Sequence, residues 1–295
     1  MNDPVTVFIV HWNRPEQCRR TVESFLQQSY PCRVIVIDNA SKPEFKKILM
    51  DSFSDVNNRV DFIWNRDNLG FAGALAPVIY KWAQNSREPA CIIAAHDVCA
   101  ERGAVEALME VLLSEPKVGI AFPINNPPER GFWDPIRGAH LYPVSELECE
   151  EKIIHGMWFP EHCIAIKREI VRKGINFDSR LFAYFEGVDL SLSVRKLGFH
   201  TVLVTGALIE NTESGGSARG SVLIPYLLAR NSVLVAYKHS GRIAAVLRAI
   251  YILVASLKSW ITGPGKKTEF SSKTRIRGVI DALRGRYGQP PEDLI

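Results

Sequence analysis

The chain runs to 295 residues, 46% of them hydrophobic and 23% charged, with a net charge of +4. That composition can bury a full core and excludes intrinsic disorder, and the length suits one large domain or two small ones. Six cysteines lie scattered without a C-x-x-C pair, which argues against a zinc site or a disulfide framework, and no charged segment leads into an apolar one at the N-terminus, so a reducing cytoplasm is the expected home.

Val5 to Val10 is a continuous β-branched and aromatic run, the mark of a strand buried on both faces and hence of a parallel sheet. Pro15 suits a first helical position, and Cys18, Val22, Phe25 and Leu26 recur on one helical face. A second strand, Val34 to Ile37, ends at Asp38, and Ser41-Lys42-Pro43-Glu44 reads as a capping box that opens a second helix. Val60 to Trp64 gives a third strand, Phe71 to Trp82 a helix, Cys91 to Ala95 a fourth strand, and a further helix begins near Glu101. This alternation predicts a doubly wound α/β sheet, whose ligands bind outside the carboxyl ends of the strands, where Asp38 and Asp97 stand.

From Val118 the alternation gives way to a stretch with Pro123, Pro127, Pro128, Pro135 and Pro143, read as long irregular functional loops. Order resumes near Ile153, a helix ends near Arg195, and a strand runs from Thr201 to Val204. Leu223 to Arg286 is helical in character. There Ile243, Leu247, Ile250, Val254, Leu257 and Ile261 fall on one stripe, interrupted by Arg248 and Lys258. The pattern predicts an amphipathic helix that either packs on the body of the protein or lies in a membrane interface. Basic residues crowd this last quarter, from Arg242 to Arg286, which points to an anionic surface or to a solvated helical face.

Several residues have the chemistry to bind a nucleoside diphosphate. Asp38, with Asn39 and Ser41, can accept from a base imide or a ribose hydroxyl, although Asp-Asn after a strand is also an ordinary turn. The segment Asn68-Leu69-Gly70-Phe71-Ala72-Gly73 places small residues at a helix entry, where backbone N–H groups suit an anion; close helix packing is the alternative for Gly70 and Gly73. Asp97 is either a ligand for a divalent ion or a helix cap. His96 beside it is either a ligand or a solvent-facing loop residue. Trp158 is read as either an aromatic platform for an acceptor sugar or a core residue.

In their order and spacing, Val7 to Asn13, Val36 to Ser41, Asn68 to Gly73 and Ala94 to Asp97 resemble the donor half of family 2 glycosyltransferases with the GT-A fold. The resemblance continues through Phe177 to Phe182, Phe185 to Leu192 and Leu227-Leu228-Ala229-Arg230-Asn231, the last similar to bacterial rhamnosyltransferase-like members that build surface polysaccharide. It implies a Rossmann-like mixed sheet over residues 1–220, with a nucleotide-binding half at 1–117, an acceptor half at 118–220 and a helical basic extension at 221–295. It also implies inverting transfer from a UDP- or dTDP-sugar to a glycan or lipid-linked acceptor. His11, Asn13, Asp38, Asn39, Asn68, Gly70, Phe71, Gly73, His96 and Asp97 would line the donor, and Mg²⁺ or Mn²⁺ would be held by Asp97 and Asn211.

Three departures from the family pattern stand out. A single Asp97, preceded by His96, replaces a richer acidic metal motif. Gly187 occupies the position of the usual catalytic base, so Glu186, and after it Asp189, is expected to take that role. Asn211 stands where a late histidine is common, and the Gly215-Gly216-Ser217 run after it reads as a lid or a plain loop. The expected location is cytoplasmic, peripheral on the inner face of the membrane.

Other classes fit less well. No G-x-G-x-x-G follows the first strand, which disfavours a dinucleotide enzyme. No Gly-rich basic loop of a nucleotidyltransferase stands there either. No nucleic-acid partner is expected, because aromatics interleaved with base-reading residues are lacking. A non-catalytic sugar-nucleotide or glycan-binding relative, its base lost at Gly187, is the remaining alternative.

Overall fold

The computed structural model describes residues 3–53, 59–125, 127–160, 162–211, 222–262 and 266–294. The first part is β1 (Val5–His11), α1 (Pro15–Leu26), β2 (Cys32–Asp38), α2 (Pro43–Asp51), β3 (Val60–Trp64), α3 (Gly70–Asn85) and β4 (Ala90–Ala95). β5 (Val98–Ala100), α4 (Ala104–Ser114), β6 (Val118–Ile124), β7 (Glu129–Asp134), β8 (Gly138–Pro143), β9 (Ile153–Gly156), β10 (Cys163–Lys167) and α5 (Arg168–Arg172) follow. The chain then forms α6 (Glu186–Lys196), β11 (His200–Asn211), α7 (Leu223–Thr262) and α8 (Lys266–Leu283).

The main sheet runs β3-β2-β1-β4-β10-β6-β11-β5, with β9 paired to β11. β3, β2, β1 and β4 are parallel, as the uninterrupted apolar runs demand, whereas β10 lies antiparallel between β4 and β6 and makes the sheet mixed. Apolar side chains of α1, α2 and α4, among them Phe25, Leu49 and Leu108, cover one face. Leu75 and Trp82 of α3 cover the other, with Ile170 of α5 and Leu190 of α6. Every residue of β1 is buried; burying each of its large apolar side chains contributes about 1.5–3 kcal/mol. The six cysteines are all free thiols.

Two expectations change here. The stretch after Val118 is largely ordered, because Asp134 Oδ1 accepts from the N–H groups of Ile136 (2.8 Å) and Arg137 (2.6 Å) and closes β7 onto β8. Nor does Ser41 cap α2. The helix begins at Pro43 without a side-chain cap, and Ser41 Oγ accepts instead from Asn13 N at 2.9 Å.

α7 breaks at Gly241 (φ 86°, ψ −177°). Its first segment is a core helix, with Tyr226, Leu227, Val233, Leu234 and Val235 buried. In the second segment the face that packs inward is Ala245, Ala249, Ile252 and Ser256, three small side chains around one isoleucine. The predicted stripe of Ile243, Leu247, Ile250, Val254, Leu257 and Ile261 faces outward, each residue at least 42% exposed. By length and composition alone, α7 passes the test for a membrane-crossing helix, with a mean hydropathy of 1.6 over its apolar window.

Candidate active site

Asp38 closes β2, and its carboxylate is fully covered. Oδ2 accepts from His11 Nδ1 at 2.9 Å, while Oδ1 accepts from Ser41 N at 3.0 Å and faces Lys46 Nζ at 3.4 Å. Arg14 N donates to His11 Nε2 at 3.1 Å, which fixes the tautomer with hydrogen on Nδ1. Burial pushes the Asp38 carboxyl up, but the bonds from His11 and Ser41 outweigh it and hold the group below its usual range. Asp38 therefore organises the turns at Asn13 (φ 54°) and Ala40 (φ 64°), left-handed positions that are costly without such support. Direct recognition of a base requires it to exchange a partner.

Asn39 and Asn68 knit the next turn. Asn39 Nδ2 donates to Asn68 Oδ1 (2.8 Å) and to Gly70 O (3.1 Å), while its Oδ1 accepts from Leu69 N (3.0 Å) and from Asn65 Nδ2 (3.2 Å). Asn68 Oδ1 also accepts from Gly70 N at 2.9 Å, and Asn13 Oδ1 from Lys42 N at 2.9 Å. His11, Asn13, Asp38, Asn39, Asn68 and Gly70 thus form one bonded unit at the carboxyl edge of β1 to β3.

Exposed at that edge are Trp12 and Trp64. Trp64 pairs with Asp38 across the strands, and Lys46 Nζ lies 5.7 Å from its ring centre. Sequence reading took Trp64 only as a strand end. The available signal was an aromatic residue closing a strand on the ligand-binding edge of the sheet.

Asp97 lies in the turn between β4 and β5. It is not a cap of α4, whose N-cap is Gly103. β5 pairs antiparallel with β11, setting Asn211 opposite Val98, one residue from Asp97. The Asn211 Oδ1 is buried and has no hydrogen-bond partner among the described residues.

His96 is half-buried rather than in a solvent-facing loop. Its ring meets His11 edge-on at 6.1 Å, and Nδ1 lies 3.2 Å from Val10 O. Burial lowers its pKa, and nearby Asp97 offsets this only in part; His162, which sequence reading missed, is lowered by burial in the same way. Among the described residues no group of three His, Cys, Asp or Glu side chains gathers around a metal position. The Gly215-Gly216-Ser217 run lies outside the described residues.

The second half of the site is a strained turn. Phe182 (φ 64°), Tyr184 (φ 69°) and Phe185 (φ 74°) all adopt left-handed backbone immediately before Glu186, the first residue of α6. Buried Asn231 locks the turn, its Nδ2 donating to the carbonyls of Leu181 (2.7 Å), Ala183 (2.8 Å) and Tyr184 (3.0 Å). Arg230, also buried, adds a bond from Nη2 to Leu181 O at 3.2 Å and donates from Nε to Asn231 Oδ1 at 3.1 Å. The same turn meets the donor half. A Cβ on Gly70 (φ +72°) would come within 2.2 Å of Phe182 O, and Phe71 packs edge-on against Phe177.

Glu186 and Asp189 have different surroundings. Both Asp189 oxygens are engaged, Oδ2 with Lys238 Nζ and Oδ1 with His239 Nε2, each at 2.7 Å. Glu186 is buried and, among the described residues, forms no ion pair. Burial, with Asp189 adding to it, pushes the Glu186 carboxyl up to about 7. Asp178 shares Lys238 and binds Arg180; burial raises it, but these partners hold it well below the carboxylate range. Trp158 is 8% exposed, stacked against Gly131 in the wall of a cavity that also includes Phe185.

The model of glycosyl transferase family 2 matches residues 6–175. The chain belongs to this family. It is a glycosyltransferase, and its sheet is the GT-A fold. A relative from two strains of Mycobacterium tuberculosis, N-acetylglucosaminyl-diphospho-decaprenol L-rhamnosyltransferase, is 24% identical over 281 residues, covering 84% of this chain and 89% of its own. GalNAc-T7, solved with UDP, GalNAc and Mn²⁺, is similar at a TM-score of 0.68 and 16% identity over 96% of this chain, which spans 56% of that protein. The mannosyltransferase PcManGT from Pyrobaculum calidifontis, in complex with GDP-Man and Mn²⁺, gives 0.55 and 14% over 96% of this chain and 86% of its own. S. aureus TarS 1-349 with UDP-GlcNAc gives 0.58 and 12%, over 95% and 82%.

Proposed function

We propose that this glycosyltransferase moves a sugar, with inversion at C1, from a UDP- or dTDP-sugar to a hydroxyl of a glycan or lipid-linked acceptor, with Glu186 as general base. The observation that carries the reading is the placement of Glu186: buried, without an ion pair among the described residues, raised to about 7, and held by a strained turn that abuts the donor turn at Gly70. A base with a pKa near the working pH is best matched to proton transfer. The acceptor oxygen attacks C1 from the face opposite the leaving group as Glu186 takes its proton. The bond from C1 to the diphosphate oxygen breaks, and the nucleoside diphosphate departs. Asp189, held between Lys238 and His239, positions α6 in this reading.

Donor contacts are assigned to the unit around His11, Asn13, Asp38, Asn39, Asn68, Gly70, Phe71 and Gly73, with Trp12 or Trp64 available to stack on the base. Asp97 and the orphaned Asn211 Oδ1 fit Mg²⁺ or Mn²⁺, hard ions that accept few protein oxygens when substrate phosphates and water complete the shell. Such an ion, when bound, would neutralise charge on the leaving diphosphate. His96 then supports the turn that carries Asp97. The Mn²⁺ complexes of similar folds and the lipid-diphosphate acceptor named for the mycobacterial relative support this assignment.

The outward apolar stripe of α7, flanked by basic residues, supports peripheral attachment to an anionic membrane face. Deleting residues 243–295 should release the protein from anionic vesicles, and unchanged sedimentation with them would refute the attachment. For the activity, thermal shift across UDP-, dTDP- and GDP-sugars with Mg²⁺ or Mn²⁺ should show selective stabilisation by one nucleotide series, followed by transfer from that donor. Absence of both stabilisation and transfer across the panel would refute the donor reading.

A further inference from the structure

A cavity of about 700 Å³ opens beside the Glu186 turn, between the β7–β8 hairpin and the two C-terminal helices. Tyr184, Phe185 and Val188 bring its wall to within two residues of Glu186. The volume falls inside the roughly 300–1,000 Å³ of small-molecule sites. Two features of the wall call for a ligand.

The first is charge. Arg137, Arg248 and Arg275 line the cavity, and no carboxylate does among the described residues. Arg248 is held in place: its Nε donates to Ser232 Oγ at 3.1 Å and its Nη1 to Ile136 O at 3.0 Å. Its guanidinium lies on Gly138, where a Cβ would come within 2.5 Å of Nη2. Both hydrogen-bond partners are neutral oxygens; burial lowers its pKa to about 10, offset only in part by the Tyr251 ring 5.7 Å away and by Asp134, so it remains a cation whose desolvation is incompletely compensated. Arginine is the residue suited to gripping phosphate oxygens in that setting.

The second is the orphaned polar atoms on an otherwise apolar lining. Trp158 Nε1 and Ser256 Oγ are buried without hydrogen-bond partners among the described residues, and both residues belong to the wall. Tyr251 and Leu228, exposed at 46% and 40%, continue the lining outward toward the apolar stripe of α7.

Resting on the glycosyltransferase reading, we infer that this cavity is the acceptor site and takes a lipid diphosphate, its phosphates at Arg248 with Arg137 and Arg275, its chain leaving along α7. A sugar attached to the diphosphate then lies toward Trp158 and Glu186. A neutral glycan would leave the arginines unmatched, and a soluble nucleotide would leave the apolar lining unused.

The test uses the full chain and farnesyl diphosphate as probe, with binding read by calorimetry beside farnesol and inorganic pyrophosphate. Farnesyl diphosphate should bind at least tenfold more tightly than either. Arg248→Gln should weaken it about tenfold or more, and Ala255→Trp, at an exposed position on the cavity wall, should block it without a burden on folding. Farnesol binding as tightly as the diphosphate, or both variants binding like the parent, would overturn the site. So would pyrophosphate binding as tightly as the lipid. UDP and dTDP affinities are measured on the same three proteins and should not change. Absence of nucleotide binding in all three would count against the donor reading, while the lipid measurements still decide the cavity.

Discussion

Replacing Asn231 by alanine tests whether the strained turn is what positions the base. Its amide serves the carbonyls of Leu181, Ala183 and Tyr184. Leu181 O keeps Arg230 Nη2 at 3.2 Å, so the loss falls on the other two carbonyls and on Arg230 Nε, which gives up Asn231 Oδ1. An orphaned buried acceptor costs about 1–3 kcal/mol, and Tyr184 is 37% exposed, so water recovers part of its share. The expected destabilisation is about 2–4 kcal/mol, read as a fall of about 5–10 °C in Tm. The activity argument is separate. Three left-handed residues store about 1–3 kcal/mol each, and without the clamp they relax and carry Glu186 with them. A displacement of about 1 Å costs on the order of 10² in rate, so kcat per folded molecule should drop about 100-fold while donor affinity changes little. Asn231→Asp should be worse on both counts, since it points a carboxylate at three carbonyls. Chemical unfolding and single-turnover transfer, both below the new Tm, supply the two numbers. Normal turnover in a destabilised Asn231→Ala protein would refute the positioning role.

Further outcomes follow from the same geometry. With its folded pKa raised from 4.5 to about 7, Glu186 binds its proton more tightly folded than unfolded; its stabilising contribution is full below about 4.5 and lost as pH rises through about 7. Turnover should rise through that same pH as the base ionises, and Glu186→Gln should lose about 10² in kcat and flatten the stability difference between pH 5 and 8. Asp189→Asn leaves His239 without its carboxylate partner and Lys238 with Asp178 alone, and should cost about 2–4 kcal/mol in urea unfolding, the remaining Asp178 pair and the cation's partial exposure trimming the full buried-pair value; a stable but inactive variant would transfer the base role to Asp189. Gly70→Ala should cost more than about 3 kcal/mol, because its Cβ meets Phe182 O, whereas Gly103→Ala, at φ +91° with nothing within 4 Å, should cost about 1 kcal/mol; equal losses would show that backbone strain alone matters at Gly70.

The first half of the sheet was legible because its signals are local. Runs such as Val5 to Val10 and Val34 to Ile37 place their strands to within a residue or two, and Val60 to Trp64 matches β3 at both ends. The α7 stripe shows a different limit: hydrophobic periodicity says which residues share a face, not what that face meets, so packing and a membrane interface both stayed open until the structure turned the stripe outward. The packed side carries only one large apolar residue, Ile252, among two alanines and a serine. The Glu186 turn was illegible for the opposite reason. Phe182, Tyr184 and Phe185 are poor choices for left-handed backbone, so local preference argues against the conformation they adopt. What reverses that preference is a side chain 46 to 50 positions later, Asn231, which sequence reading could place in a motif but not give a task. The glycine missing its Cβ at the donor turn completes the arrangement. Gly70 lets Phe182 O approach the start of α3, so the proposed donor turn and the proposed base share one rigid contact. Any change that moves one should move the other. Gly187 therefore matters less as a lost side chain than the turn before it does, since Glu186, the proposed base, follows a turn held by Gly70 and Asn231.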